Sequence, residues 1–151
     1  MATWAEFAAA APDLADRGAR RLGVGVAYIA TTAMDGSPRV HPFTALISGG
    51  RLLAFIGKHT VKYGNLLRDP RCAIHAVLGE NDEEFLIISH AVLSDDWETQ
   101  MQAAIEARKI NMTSSNHAAF EFMLERAHWA VWEGPGTPDI RRVAKAWRAT
   151  S

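Results

Sequence analysis

Four side chains that are able to hold a phosphate lie in two short stretches of the chain. Thr60 and Lys62 stand in residues 57–65, at the predicted start of a short helix, and Arg39 and His41 stand in a predicted strand. A helix start offers free backbone N–H groups and the positive end of the helix dipole. A dianionic phosphate needs several donors that converge on its oxygens. We therefore predict a site for a phosphate-bearing cofactor; the alternative is that Thr60 is only a helix N-cap and Lys62 is solvated.

The spacing of Arg39 and His41 places both side chains on one face of their strand, because side chains alternate along a strand. Val40 and Pro42 then point to the other face. Pro42 lacks a backbone donor, so it predicts an edge strand or a bulge, where free backbone groups could meet the edge of a planar ring. The alternative is an ordinary strand with one solvent-facing side.

Composition limits the classes of protein that the chain can be. With 151 residues, 48% of them hydrophobic, a single domain spanning residues 1–151 is expected. The formal net charge of -1 gives no field for nucleic acid or an anionic membrane, so any anion site must be local. The single cysteine, Cys72, favours a reduced, cytoplasmic compartment and a buried, inert thiol. Neither a membrane span nor a signal peptide is indicated.

Other common chemistries lack their sequence motifs. The six histidines show neither H-E-x-x-H nor a Cys/His pair at ligand spacing, so no metal site is predicted. Ser89-His90 lacks the G-x-S-x-G turn of a serine nucleophile. Gly23-Val-Gly25 lacks a third glycine and precedes a strand, which argues against a dinucleotide-binding loop.

The elements that must position these residues begin with helices. Thr3 and Glu6 have the spacing of a capping box, and Pro12 separates this segment from a second short helix, so residues 1–22 form a predicted helical lead-in. Short apolar runs then predict six strands, with turns at Asp35-Gly36 and Gly49-Gly50. These strands cover residues 24–32, 39–48, 52–56, 71–78, 84–93 and 120–132. We expect the first three to form an antiparallel meander. Residues 134–151 are predicted as a C-terminal extension.

Two more helices are predicted between these strands. One covers residues 60–67 and ends at Asp69-Pro70, because the residue before proline avoids the α region. The other is predicted to be capped by Ser94-Asp95 and to pack one apolar face on the barrel. That face comprises Trp97, Met101, Ala104 and Ile105. Short antiparallel strands with two or three helices predict a small closed or partly split barrel.

Three stretches, residues 26–42, 50–57 and 62–71, resemble the pyridoxamine 5'-phosphate oxidase-like, flavin-binding split-barrel family. The resemblance implies a mostly β fold, a six-stranded antiparallel split β-barrel with peripheral helices, that pairs as a homodimer. It also implies two FMN or deazaflavin sites in clefts between the subunits. The positions that it assigns to the flavin ring and phosphate are Arg39, Val40 and His41, then Phe55 and Ile56 beside the ring, and Thr60, Val61 and Lys62 at the phosphate.

The C-terminal motif of the true vitamin-B6 oxidases is only partly present. Trp132-Glu133-Gly134 matches their W-Q-G opening, and the arginine that reaches the flavin falls on Arg142. The substrate-binding Arg and His positions fall on Pro138 and Ile140. The resemblance therefore implies a paralogue that keeps the flavin and uses another substrate.

The function implied is an FMN-dependent oxidoreductase that transfers hydride through the flavin to or from a small molecule. No side chain is assigned as catalytic; His41, His59 or Tyr63 could supply a proton. Two alternatives remain open. One is a deazaflavin-dependent reductase on the same fold, and the other is a protein that binds flavin or haem without turnover.

Overall fold

A computed structural model describes residues 1–110 and 116–150. The helices are α1 (Trp4–Ala10), α2 (Pro12–Leu22), α3 (Val61–Arg68) and α4 (Trp97–Lys109), with a 3₁₀ turn at Glu80–Asp82. The strands are β1 (Val26–Thr32), β2 (Pro38–Thr44), β3 (Leu46–Ser48), β4 (Arg51–Gly57), β5 (Arg71–Ala76), β6 (Glu84–Leu93), β7 (His117–Glu133) and β8 (Arg141–Arg148). In this part of the chain, no helix combines the length and apolar character needed to cross a bilayer.

The strands form one antiparallel sheet in the order β2-β1-β5-β6-β7-β4-β3. Strand β8 pairs with residues 126–133 of β7, beyond the residues 117–121 that pair with β4. The chain bends at Ala45, so β2 and β3 lie at opposite ends of this order although they are consecutive in sequence. The sheet curls until β2 approaches β4, but no ladder of hydrogen bonds closes the ring in the described residues. The predicted split barrel with peripheral helices is confirmed.

The strand count and the early topology differ from the prediction. The predicted strand 39–48 divides at Ala45 into two strands. Both antiparallel pairings of the predicted meander form, β1 with β2 and β3 with β4, but they use separate halves of that strand, so β2 and β4 are not neighbours in the sheet. Within the predicted C-terminal extension, β8 forms a hairpin with β7, so residues 1–110 and 116–150 contribute 8 strands to the sheet rather than six. Only Val143 and Trp147 of β8 pack against the core, which is why its charged composition resembled a tail.

Helices α1 and α2 cover the interior face of the sheet. The predicted capping box of α1 is present, with Thr3 and Glu6 bonding to each other's backbone, and Pro12 begins α2. The Phe7 ring lies 4.8 Å from the ring of Trp147 on β8. Gly18 of α2 sits directly on the ring of Phe85, because a Cβ there would come within 2.2 Å of the ring. These contacts tie the N-terminal lead-in to the barrel core.

Helix α3 is anchored to β1 by a buried hydrogen bond. The Asn65 side chain donates to the Thr31 hydroxyl across 2.9 Å, and both residues are almost fully buried. Thr60 is the N-cap, as predicted, and the helix stops at Asp69 before Pro70. The position of the α3 start relative to β1 and β2 is therefore set by the packed interior.

Helix α4 packs on the sheet by a different face from the one predicted. Its buried residues are Thr99, Ala103 and Ala107, and the two alanines join the β3–β4 side of the sheet in a second apolar cluster. Small side chains let the helix approach the strands closely. The large residues Trp97, Met101 and Ile105 stay 72%, 38% and 43% exposed, and we call these three the outer stripe of α4. The cap is Asp96, not Ser94-Asp95, because the Asp96 carboxylate accepts from Thr99 N at 2.8 Å.

Candidate functional site

The edge strand β2 presents Arg39 and His41 on the interior side of the sheet. Arg39 is paired with Thr31 of β1 and His41 with Ile29, and both β1 residues are buried. Directly opposite residues of an antiparallel pair share a face. The predicted common face of Arg39 and His41 is thus confirmed, and so is the edge position expected from Pro42, because β2 ends the strand order.

Lys62, in the first turn of α3, joins these two side chains. Its ammonium donates to the Pro42 carbonyl at 3.3 Å. The pKa of His41 is lowered by burial first, and then by the charges of Lys62 and Arg39. Burial also lowers the pKa of Lys62. The structure therefore brings together three cationic or proton-accepting groups, Arg39, His41 and Lys62, which we call the cation cluster.

The cation cluster has no acidic partner at ion-pair distance within residues 1–110 and 116–150. The pKa of Asp35 is lowered mainly by hydrogen bonds from Ser37, whose hydroxyl donates to the carboxylate at 2.6 Å, and to a smaller extent by the charge of Arg39. The Nε2 atom of His41 is shielded from solvent and finds no hydrogen-bond partner in the same residues. A buried polar atom without a partner costs about 1–3 kcal/mol. An anion would satisfy that nitrogen and relieve the repulsion, so these residues fit a phosphate group.

The other predicted phosphate residues contribute less. The Thr60 hydroxyl donates to the Gly57 carbonyl at 2.7 Å and accepts from Tyr63 N at 3.4 Å, so its proton is already used within the cap. Val61 is 66% exposed and has only its backbone N–H to offer. Of the three residues at the start of α3, only Lys62 contributes a charged side chain to the cation cluster.

Phe55 and Ile56, both predicted to lie beside a flavin ring, face opposite sides of β4. Ile56 is 1% exposed in the barrel core, so only its backbone can reach a ligand. Phe55 faces α4, where its ring stacks on His117 at 5.5 Å with 12° between the planes. His117 was not predicted as a site residue. Its position at this site follows from its pairing with Gly57 between β7 and β4, which only the structure reveals.

Trp132 and Arg142 are directly opposite each other on the β7–β8 hairpin. Arg142 pairs with the carboxylate of Glu84. Within residues 1–110 and 116–150, no hydrogen bond, ion pair or ring contact joins Trp132 or Arg142 to Arg39, His41 or Lys62. One chain therefore does not bring these two residues into contact with the cation cluster.

Two further groups complete the inventory of reactive residues. Cys72 is buried, and burial raises the pKa of its thiol to about 11, so the thiolate is scarce at neutral pH. In the described ranges, no three His, Cys, Asp or Glu side chains are arranged to hold a metal ion. Of the residues that could supply a proton, His41 lies in the cation cluster, and Tyr63 packs edge-on against Phe120 at 5.8 Å.

Solved structures with the same architecture define the class of fold. A candidate pyridoxamine 5'-phosphate oxidase from Listeria innocua is 18% identical, with a TM-score of 0.63 over 74% of this chain and 94% of that one. A NimC/NimA family protein from Clostridium acetobutylicum is 18% identical, with a TM-score of 0.62 over 86% of this chain and 92% of that one. The chain therefore has the split-barrel fold of the pyridoxamine 5'-phosphate oxidase-like proteins.

A third similar structure carries a different ligand in its name. The heme binding protein from Mycobacterium smegmatis is 18% identical, with a TM-score of 0.62 over 84% of this chain. The present chain spans 56% of the length of that protein. No family model and no curated protein matches the sequence. The likeness to these structures is thus one of fold.

Proposed function

We propose that this chain is an FMN-dependent oxidoreductase whose cofactor phosphate binds at the cation cluster. The observation that carries the proposal is the orphaned Nε2 of His41 between Arg39 and Lys62, at the edge of a split barrel. FMN, when bound, would supply the hydride-transfer chemistry. The side chains of this cluster would bind the phosphate and orient the cofactor.

The electrostatics of the cluster favour a dianion. Burial lowers the pKa of His41 most, and the neighbouring charges of Lys62 and Arg39, which have no ion-paired acid in the described residues, lower it further. A bound phosphate would reverse that effect, because a neighbouring negative charge favours the protonated imidazole. Charge-assisted hydrogen bonds to phosphate are roughly twice as strong as neutral ones.

A homodimer would complete the cofactor site. Trp132 on β7 and Arg142 on β8 make no contact with the cation cluster of their own chain in the described residues, so we propose that a second copy supplies them. The outer face of β1 and β2 offers a surface for that copy: Val26, Tyr28 and Val40 are 49%, 44% and 65% exposed. Apolar patches of this kind on a sheet often mark contact sites.

The dimer proposal is tested by placing a charge on this outer face. We expect Tyr28→Glu to shift the protein from dimer to monomer in analytical ultracentrifugation and to weaken FMN binding at the same time. Met34→Glu, at a hairpin position that is 85% exposed, is the matched control and should leave the dimer intact. A dimer that survives Tyr28→Glu with FMN affinity unchanged would remove this face from the proposal.

The cofactor is tested by the absorbance spectrum of the purified protein, followed by titration with FMN and, separately, with a deazaflavin. We expect flavin bands that co-elute with the protein on gel filtration, and reduction of the bound flavin by a nicotinamide nucleotide under anaerobic conditions. Preference for the deazaflavin would favour a deazaflavin-dependent reductase on the same fold. Tight flavin binding without reduction by any donor would select a non-catalytic role, and rejection of both cofactors would refute the flavin proposal.

Haem binding is a second candidate, which the name of the Mycobacterium smegmatis protein favours. It predicts a Soret band that appears on addition of haemin and weakens in His41→Ala or His117→Ala. Binding of FMN, with no Soret band on addition of haemin, would exclude haem binding.

A further inference from the structure

A groove runs between α4 and the β4–β7 part of the sheet. It consists of two adjoining cavities of about 350 Å³ and 210 Å³ that share Gln100, His117 and Ala119 in their walls. We call the larger cavity and its mouth the α4 groove. Its size is within the usual range of small-molecule sites.

The walls of the α4 groove are flat and aromatic. On the sheet side, the rings of Phe55 and His117 are parallel within 12°. On the helix side lies the outer stripe of α4, whose Trp97 is 72% exposed. Between them Ala104 and Ala119 leave the cavity open. Aromatic rings prefer offset-stacked or edge-to-face partners, so this lining favours a planar ring over a bulky aliphatic group.

The polar groups of the α4 groove favour one negative charge. Arg108 lines the larger cavity and forms no ion pair within residues 1–110 and 116–150. No acidic side chain is found among the lining residues of that cavity. Glu106, two residues before Arg108 in the same helix, is held by Lys109 at 2.8 Å and by the Ser48 hydroxyl at 3.1 Å. The Nδ1 atom of His117 is shielded and has no partner in the described residues.

The smaller cavity extends the α4 groove towards the start of α3. That cavity is lined by Lys58 and Tyr63, which stand on either side of Lys62 in the sequence, and by Asp95. A ligand in the groove would thus lie next to the start of α3. We infer that the α4 groove binds the reactant of the proposed flavin site, and that this reactant is a planar aromatic molecule with one anionic substituent recognised by Arg108. That this ligand is the reactant rests on the proposed function, whereas its chemical class rests on the lining of the groove alone.

The test is calorimetric titration of the cofactor-free protein with 2-naphthoate. Two related compounds separate the contributions of shape and charge: 2-naphthalenemethanol is planar and neutral, and decahydro-2-naphthoate is anionic and not planar. We expect 2-naphthoate to bind more tightly than either. Arg108→Gln should weaken 2-naphthoate binding by about tenfold or more and leave the alcohol unaffected, since it removes one charged hydrogen bond.

Two further variants address the shape of the cavity and the trivial role of Arg108. Ala104→Phe fills the groove from the helix side and should abolish binding of both planar compounds. The double variant Glu106→Gln/Lys109→Gln removes a cation from the same last turn of α4 together with the carboxylate that it holds, outside the groove, and should change nothing. This control matters because a basic residue in the last helical turn also stabilises the helix dipole. Circular dichroism of each variant verifies that α4 is intact.

FMN affinity is measured in the same variants, so that the two proposals fail separately. Loss of 2-naphthoate binding in Arg108→Gln and Ala104→Phe, with FMN affinity unchanged, supports the inference. Equal binding of 2-naphthoate and decahydro-2-naphthoate, indifference to both variants, or no binding by the native chain overturns it. Arg108-dependent binding in a chain that rejects FMN would overturn the proposed function and leave the ligand class standing.

Discussion

Replacing Lys62 by methionine should separate the recognition of the phosphate from that of the flavin ring. The substitution keeps most of the apolar stem and removes the ammonium of the cation cluster. Within the described residues this group donates only to the Pro42 carbonyl, at 3.3 Å, so the fold should lose little. A hydrogen bond to a charged group contributes about 1.5–3 kcal/mol. We therefore expect FMN to bind roughly 10- to 150-fold more weakly, at about 1.4 kcal/mol per tenfold.

Riboflavin, which lacks the phosphate, provides the matched ligand. Quenching of flavin fluorescence gives the dissociation constants of FMN and riboflavin for the native chain and for Lys62→Met. The structure predicts that the substitution weakens FMN and leaves riboflavin unchanged. It also predicts a steeper salt dependence of FMN binding in the native chain, because exposed charge interactions are screened by salt. Lys109→Met, a substitution of another lysine outside the site, serves as the control for total charge.

Two results would refute the assignment of the cation cluster to phosphate. The first is an equal loss of affinity for FMN and riboflavin, which would mean that Lys62 supports the ring or the fold. The second is unchanged FMN affinity in Lys62→Met, which would move the phosphate elsewhere on the barrel.

Three further outcomes follow from the described contacts. Burial and neighbouring charges hold the pKa of His41 below its ordinary value of 6.5, so the unfolded chain binds more protons as pH falls below about 6.5. The free energy of unfolding should therefore decline there, and His41→Asn should lack this part of the decline in urea unfolding at pH 7.5 and 5.5. Asn65→Ala leaves the Thr31 hydroxyl buried without its partner and should cost about 1–3 kcal/mol of stability. The double variant Thr31→Val/Asn65→Leu should recover much of that loss; a double variant no more stable than Asn65→Ala would contradict the reasoning. Gly18→Ala should destabilise by about 1–3 kcal/mol because its Cβ meets a core ring at 2.2 Å. Gly64→Ala, with nothing within 4 Å, should stabilise the protein by up to ~1 kcal/mol, and thermal unfolding compares the two.

Features that depend on residues close in sequence were predicted well. The capping box of α1, the Thr60 cap and the hairpin at Asp35-Gly36 all form as expected. The common face of Arg39 and His41 is another example, because strand alternation is a property of the backbone alone. Each of these features is determined within a few residues, where steric preference and local hydrogen bonding dominate.

The packed face of α4 was beyond this kind of reasoning. Hydrophobic periodicity selected Trp97, Met101 and Ile105, the largest apolar residues of the helix. The sheet instead accepts Ala103 and Ala107, because close approach of the helix to β3 and β4 requires small side chains. Which of two apolar stripes packs depends on the shape of the opposing surface, and that surface is built from strands distant in sequence.

The sequence by itself thus determined most of the helices and strands up to residue 133, the edge position of β2 and the cationic side chains that could bind a phosphate. Only the tertiary structure decided which of them meet. It brought Lys62 to Arg39 and His41 through the packing of α3 on β1, and it placed Trp132 and Arg142 on the β7–β8 hairpin, without a contact to them in the described residues. The tertiary structure also places β2 and β3 at opposite ends of the strand order. The reason is that strand partners and helix faces are chosen by contacts between distant segments, which no local pattern encodes.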